Sequence, residues 1–207
     1  MGRHPLSREI VEGHQRERVL GIAIEVFAKR GYRRTNVGHI VTAAKIGTPS
    51  FQSLFGSKEG CFLQAYDRIV TIARQRIEAA VGPEESWPER LRSAMGMFLE
   101  LIEEAPLPAR VALVEAQTAG AVALDRYEAD LREVAALLHR GRGHSRFGDE
   151  LPATLEFGIV GGLFWFLQQR IAAGEATRVT SLLPEVMEIV AEPYLGRGAT
   201  LELIAAG

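Results

Sequence analysis

The chain has 207 residues, 47% of them hydrophobic and 24% charged, with a net charge of -2. That balance excludes an intrinsically disordered chain and allows one large domain or a small domain joined to a larger one. No apolar run reaches the roughly 18 residues a membrane helix needs, and Met1–Pro5 lacks the apolar core of a secretory signal, so a cytoplasmic protein is expected.

The single cysteine, Cys61, cannot found an intrachain disulfide framework and suits a reducing compartment. The charge is unevenly spread. Residues 1–60 hold 10 Lys/Arg against 5 Asp/Glu, while residues 61–207 hold 14 against 21. A basic head on an acidic body is the pattern of a head that meets a polyanion, although drift of charge along a chain produces the same imbalance.

Residues 1–15, with Pro5 and Gly13, read as an arm. From Arg16 to Arg30, Val19, Ile22, Ala23, Val26 and Phe27 recur at helical spacing, and Gly31 is a natural terminator. Asn36 fits the N-cap of a second helix, Val37 to Ala44. After Gly47, Thr48-Pro49 reads as a capping threonine followed by proline at the first helical position, opening a short helix to Phe55. Phe51 and Phe55 stand one turn apart and are predicted to be buried, which leaves Thr48, Ser50, Gln52 and Ser53 facing outward. Two short helices joined by a tight turn form a helix-turn-helix, a device for laying the second helix in the DNA major groove.

Ser57 is placed to cap a fourth, long helix reaching about Val81, stopped by Gly82-Pro83. Ser86-x-x-Glu89 is a capping box opening a helix to about Glu104. Pro106/Pro108 start the next, to about Thr118, and Gly120 breaks it. Further helices are expected at 121–140, 152–173 and about 181–195, with a loop at 141–148. No strand, hairpin or repeat signal emerges. The expectation is an all-α protein of about nine helices: a three-helix head within residues 1–60 and a larger helical body over 61–207.

Several residues carry candidate chemistry. Lys58, in the first turn of the fourth helix, suits a phosphate, or is a solvated surface lysine. Asn36, Thr48, Ser50, Gln52 and Ser53 either meet DNA or are exposed polar groups and caps. Cys61 is either a redox-sensitive thiol at a helix start or a small buried side chain. Gly158, Gly161 and Gly162 precede Trp165 in an unusually apolar helix; three interior glycines point to another backbone approaching closely, within the chain or across a dimer. Trp87, Met95, Phe98, Leu101, Leu113, Gln117, His139 and Trp165 are available to line a pocket, or are ordinary core. His139, His144 and Asp149 have no recognised metal spacing, no catalytic constellation is visible, and no cofactor or metal is expected.

The pattern Arg16-x-Arg18-Val19-Leu20-x-x-Ala23-x-x-x-Phe27-Ala28-x-x-Gly31-Tyr32 resembles the first helix of the TetR family of bacterial transcriptional regulators. So do Thr35-Asn36-Val37, Ile40-Val41, Ala44, Ile46-Gly47 and Phe51 to Phe55-Gly56-Ser57-Lys58-Glu59. Gly161-Gly162-Leu163 and the ending Pro193-Tyr194-Leu195-Gly196 are similar to family members as well; residues 82–151 are not. The resemblance implies a non-enzymatic homodimeric regulator, with the last two body helices paired between subunits. Its DNA-contacting head would be released from a double-stranded operator by a small-molecule effector, and the scarcity of uncompensated charge on the apolar faces of the body points to a hydrophobic one. The chain departs from the family at Gly38, where arginine is frequent, and at Gln52-Ser53-Leu54, where Tyr-Tyr-His is frequent. Base reading would then pass to Gln52, His39 and Arg33/Arg34; glutamine paired to adenine is sound chemistry. The alternatives are a ligand-independent activator, or a helical carrier or enzyme with a structural head.

Overall fold

A computed structural model describes residues 8–206, whose regular structure is all helical with no strand among them. Ten α-helices follow one another: α1 (Arg8–Arg30), α2 (Val37–Ala44), α3 (Thr48–Phe55), α4 (Lys58–Ala80), α5 (Trp87–Glu104), α6 (Pro106–Arg110), α7 (Ala121–His139), α8 (Leu155–Ala172), α9 (Leu183–Leu195) and α10 (Arg197–Ala205). The count exceeds the expected nine because Arg197–Ala205 forms its own helix after Gly196, whose φ of +77° turns the chain out of α9. The expected arm is also corrected: residues 8–15 extend α1, and residues 1–7 lie outside the described residues.

In the head, α1 packs on α2 and α4, and α3 bridges α2 and α4. Phe27, Phe51 and Phe62 are fully buried there. Phe27, Tyr32 and Phe62 form an aromatic triangle, with centroid separations of 5.8, 5.2 and 5.0 Å. The offset and edge-on geometries suit the ring quadrupoles, so the triangle joins the end of α1 to the start of α4 specifically.

α4 is about 35 Å long at 1.5 Å per residue, and it carries the chain from head to body, where it packs on α5. Ser57 Oγ accepts the Gly60 N–H at 2.9 Å, as its capping position predicts. At α5, Glu89 reaches back to the Ser86 N–H and hydroxyl, both at 2.7 Å. In the body α5 contacts α9 and α10, and α7 packs along α8.

Two features of the body are not written in the local sequence. After α6 the helix widens into a π-helical turn at Val111–Glu115 before ending in a 3-10 turn. The expected loop after α7 is pinned: Arg142 donates to both carboxylate oxygens of Glu156, at 2.7 and 2.9 Å, and to the carbonyls of Gly148, Leu151 and Pro152.

Candidate DNA-binding head

The helix-turn-helix begins with a capping box. Asn36 Oδ1 accepts the His39 N–H at 3.0 Å, and His39 Nδ1 accepts the Asn36 N–H at 3.2 Å. Histidine thus takes the place usually held by Glu or Gln in such a box. His39 Nε2 also lies 3.2 Å from Arg30 Nη2. A neutral imidazole accepts at one nitrogen only, so the Asn36 amide and Arg30 compete for it. Both ring nitrogens face donors within the head, while Asn36 keeps its side-chain NH2 free of the cap.

The turn between α2 and α3 is held from three sides. Lys45 adopts a left-handed conformation with φ +52° and ψ +49°. The Ile46 N–H donates to the Val41 carbonyl at 3.1 Å, and Arg18 Nη1 donates to the Ala44 carbonyl at 2.9 Å. These bonds satisfy carbonyls that the end of α2 would leave unpaired. Thr48 is not the N-cap of α3: Gly47 occupies that position without a side-chain bond, Thr48 is the first helical residue, and Pro49 the second.

α3 divides cleanly. Phe51, Leu54 and Phe55 are buried; Thr48, Ser50, Gln52 and Ser53 are exposed, as their spacing predicts. Arg16 secures the buried side, donating to the Leu54 carbonyl at 2.5 Å and to Gln64 Oε1 at 2.9 Å. The exposed side carries hydroxyls and an amide but no charge.

Lys58 is turned toward the protein. Its ammonium donates to the carbonyls of Tyr32 and Thr35, at 3.1 and 3.0 Å, and lies 3.9 Å from the Tyr32 ring centroid. It therefore ties the start of α4 to the loop between α1 and α2, with one of three N–H donors remaining. That cradle was invisible in the sequence, because it is made of backbone carbonyls 26 and 23 residues away. Cys61 is fully buried, and burial pushes its thiol up to about 12, the opposite of a reactive thiolate.

The body residues proposed for a pocket make packing contacts of their own. Trp87 packs against His144 and Tyr194, Phe98 stacks on Phe164, and Gln117 bonds the Leu113 carbonyl and the Tyr127 hydroxyl. Met95 and Leu113 are core, Leu101 is half-buried, and Trp165 is 63% exposed on the outside of α8. An open groove of about 320 Å³ lies between α4 and α7, bordered by Tyr66, Asp67, Arg74, Arg126 and Asp130. None of the anticipated residues borders it. His139 lies 3.5 Å from Glu156 and is exposed. Among the described residues no group of His, Cys, Asp or Glu is placed to hold a metal ion, and no helix is long and apolar enough to cross a membrane.

The outer face of α8 displays Phe157, Gly158, Gly161, Gly162 and Trp165 side by side. A β-carbon built on any of the three glycines meets nothing within 4 Å. Packing inside the subunit therefore does not account for them.

Residues 19–65 match the family described as bacterial regulatory proteins, tetR family. No curated protein matches the chain in sequence. Solved structures do match its fold over nearly its whole length. The fatty acid degradation regulator FadR from Bacillus halodurans has a TM-score of 0.72 at 17% identity, covering 92% of this chain and 97% of its own. A TetR-like transcriptional regulator from Rhodococcus sp. RHA1 also has a TM-score of 0.72, at 21% identity, covering 94% and 100%. The ketosteroid transcriptional regulator KstR2 of Mycobacterium tuberculosis has a TM-score of 0.57 at 21% identity, covering 86% and 93%. Residues 19–65 thus carry the helix-turn-helix of the TetR family, and the chain as a whole has the fold of TetR-like transcriptional regulators.

Proposed function

We propose that the protein is a sequence-specific DNA-binding transcriptional regulator, acting without catalysis as a homodimeric repressor that a small hydrophobic ligand releases from its operator. The observation that carries the reading is the exposed, uncharged hydrogen-bonding face of α3, held rigidly by Arg16, Arg18 and the Lys45 turn. Thr48, Ser50, Gln52 and Ser53 are the groups that would meet base edges and phosphates, with Gln52 suited to adenine. Asn36 would add its free amide group at the start of α2. His39 would act by fixing that start, and Lys58 by holding the α1–α2 loop while offering its remaining N–H to a phosphate.

The head is assigned to residues 1–60 and the ligand-binding and dimerising body to 61–207. The outer face of α8 would pair with that of a second copy, setting two heads on half-sites about 34 Å or more apart. Two structural neighbours are named for regulation in fatty acid and ketosteroid contexts, which favours an apolar effector here. A ligand-independent regulator is the second reading, favoured by the groove between α4 and α7 and the hollow at Arg142–Glu150 both being open to solvent.

Titrating the protein against the DNA just upstream of its own coding region, at two salt concentrations and beside mixed-sequence DNA, tests the regulator reading. Tight, salt-sensitive preference for the upstream fragment is expected of a local regulator. Failure to bind any DNA in a salt-dependent way would defeat it. Fatty acids and steroids added to the preformed complex then separate the two readings, since only a ligand-released repressor lets go.

A further inference from the structure

The head is basic, yet most of its cations are already engaged. Arg16 and Arg18 donate to the Leu54 and Ala44 carbonyls, Lys29 pairs with Glu25, and Arg30 contacts His39. Arg34 is drawn back onto the Arg30 carbonyl, and Lys58 lies on two carbonyls. Of the head's cations from Arg16 onward, whose side chains are described, two have no such partner and are exposed: Arg33 and Lys45. They flank α2, one in the loop before it and one in the turn after it.

Both stand on fixed backbone. The loop bearing Arg33 is fastened by the Thr35 N–H to the Tyr32 carbonyl at 3.1 Å, by Lys58, and by Glu115 of the π-helical turn, whose carboxylate accepts the Tyr32 N–H at 2.8 Å. Lys45 is the one non-glycine residue among those described with positive φ. The left-handed region favours glycine there, and lysine in it is strained. A strained backbone position that keeps a long, unpartnered cation beside a recognition helix points to work for that cation.

We infer that Arg33 and Lys45 form a two-point phosphate clamp at the ends of α2. The inference rests on the DNA-binding reading and deepens it. The first helix of a helix-turn-helix crosses the DNA backbone while the second enters the major groove. α2 spans about 12 Å, so cations at its two ends reach phosphates on either side of that crossing. The clamp supplies the charge that the exposed side of α3 lacks. Affinity then comes from the ends of α2, whereas discrimination between bases comes from Ser50, Gln52 and Ser53.

The test compares wild-type protein with Lys45→Gly, Lys45→Arg and Arg33→Gln, each titrated against upstream and mixed-sequence duplexes over a range of salt. Thermal unfolding is recorded in parallel. Lys45→Gly is expected to melt higher, because glycine relieves the strain, while binding both duplexes more weakly. Its slope of log K against log salt should be shallower by about 1 for each subunit bound. Arg33→Gln should lose a similar slope with unchanged melting, and Lys45→Arg should keep the wild-type slope. Variants that fold and retain the wild-type slope overturn the clamp alone. Wild-type protein with no salt-sensitive DNA binding overturns the regulator reading and the clamp with it.

Discussion

Lys58 and Glu156 show how a single charged group changes meaning once its surroundings are known. On sequence position alone Lys58 suits a phosphate; in the fold its ammonium closes the head by donating to two backbone carbonyls. Lys58→Met should therefore destabilise the protein by about 1.5–3 kcal/mol, the usual worth of hydrogen bonds to a charged group, read from its urea midpoint. An unchanged midpoint would mean that the cradle contributes nothing to stability. Glu156 is 4% exposed, and the Arg142 guanidinium holds its carboxyl at about 2, below the ordinary 4.5. A depressed carboxyl stabilises the fold fully above its unfolded value, and that contribution is lost as pH falls through about 2. Glu156→Gln should therefore be less stable than wild type at neutral pH, with the gap narrowing on acidification. A gap of constant size across that range would show that ionisation of Glu156 is irrelevant to folding.

At the scale of the element, the π-helical turn Val111–Glu115 joins body to head. Its wider winding places Glu115, 7% exposed, against the loop that follows α1. There the carboxylate takes the Tyr32 N–H at 2.8 Å and lies 3.6 Å from Arg110 Nε, a buried donor with no hydrogen-bond partner of its own. Removing Glu115 leaves the Tyr32 amide without a partner and the Arg110 charge uncompensated. Glu115→Ala should cost about 1–3 kcal/mol, with hydrogen exchange at the Tyr32 amide accelerating more than exchange in α8 or α9. Equal acceleration everywhere would mean that the residue supports the whole fold and not this junction. Helix boundaries around the junction were largely readable. Asn36, Ser57 and Ser86-x-x-Glu89 mark starts because each offers an oxygen to unpaired N–H groups, and α2 begins and ends where its cap and spacing predict. The π-helical turn was not, since apolar residues in Val111–Val114 fit either winding, and the docking of this segment on α1, α4 and α8 is not written in them.

For the whole molecule, the proposed dimer turns on the outer face of α8. Phe157 is 59% exposed and Trp165 is 63% exposed on either side of Gly161. In the isolated subunit Gly161 meets nothing, so a larger side chain there has room, and replacing an interior helical glycine favours the helix by roughly 1 kcal/mol. Gly161→Leu should accordingly keep the subunit folded but shift it from dimer to monomer in light scattering. A variant that stays dimeric would place the dimer interface elsewhere.

Sequence by itself determined the helical class, most helix limits, the buried and exposed sides of α3, and the likeness of its head to the TetR family. Those depend on caps, on the 3.6-residue period and on glycine stops, all of them local along the chain. Tertiary structure decided which charges are free. Lys58 and Glu115 are consumed by backbone groups 26 and 83 residues away, Arg142 by a carboxylate 14 residues on, and the anticipated pocket residues are divided among separate contacts. Neither composition nor spacing records such partners, because hydrogen bonds across a core are set by how the helices dock and not by how each one forms.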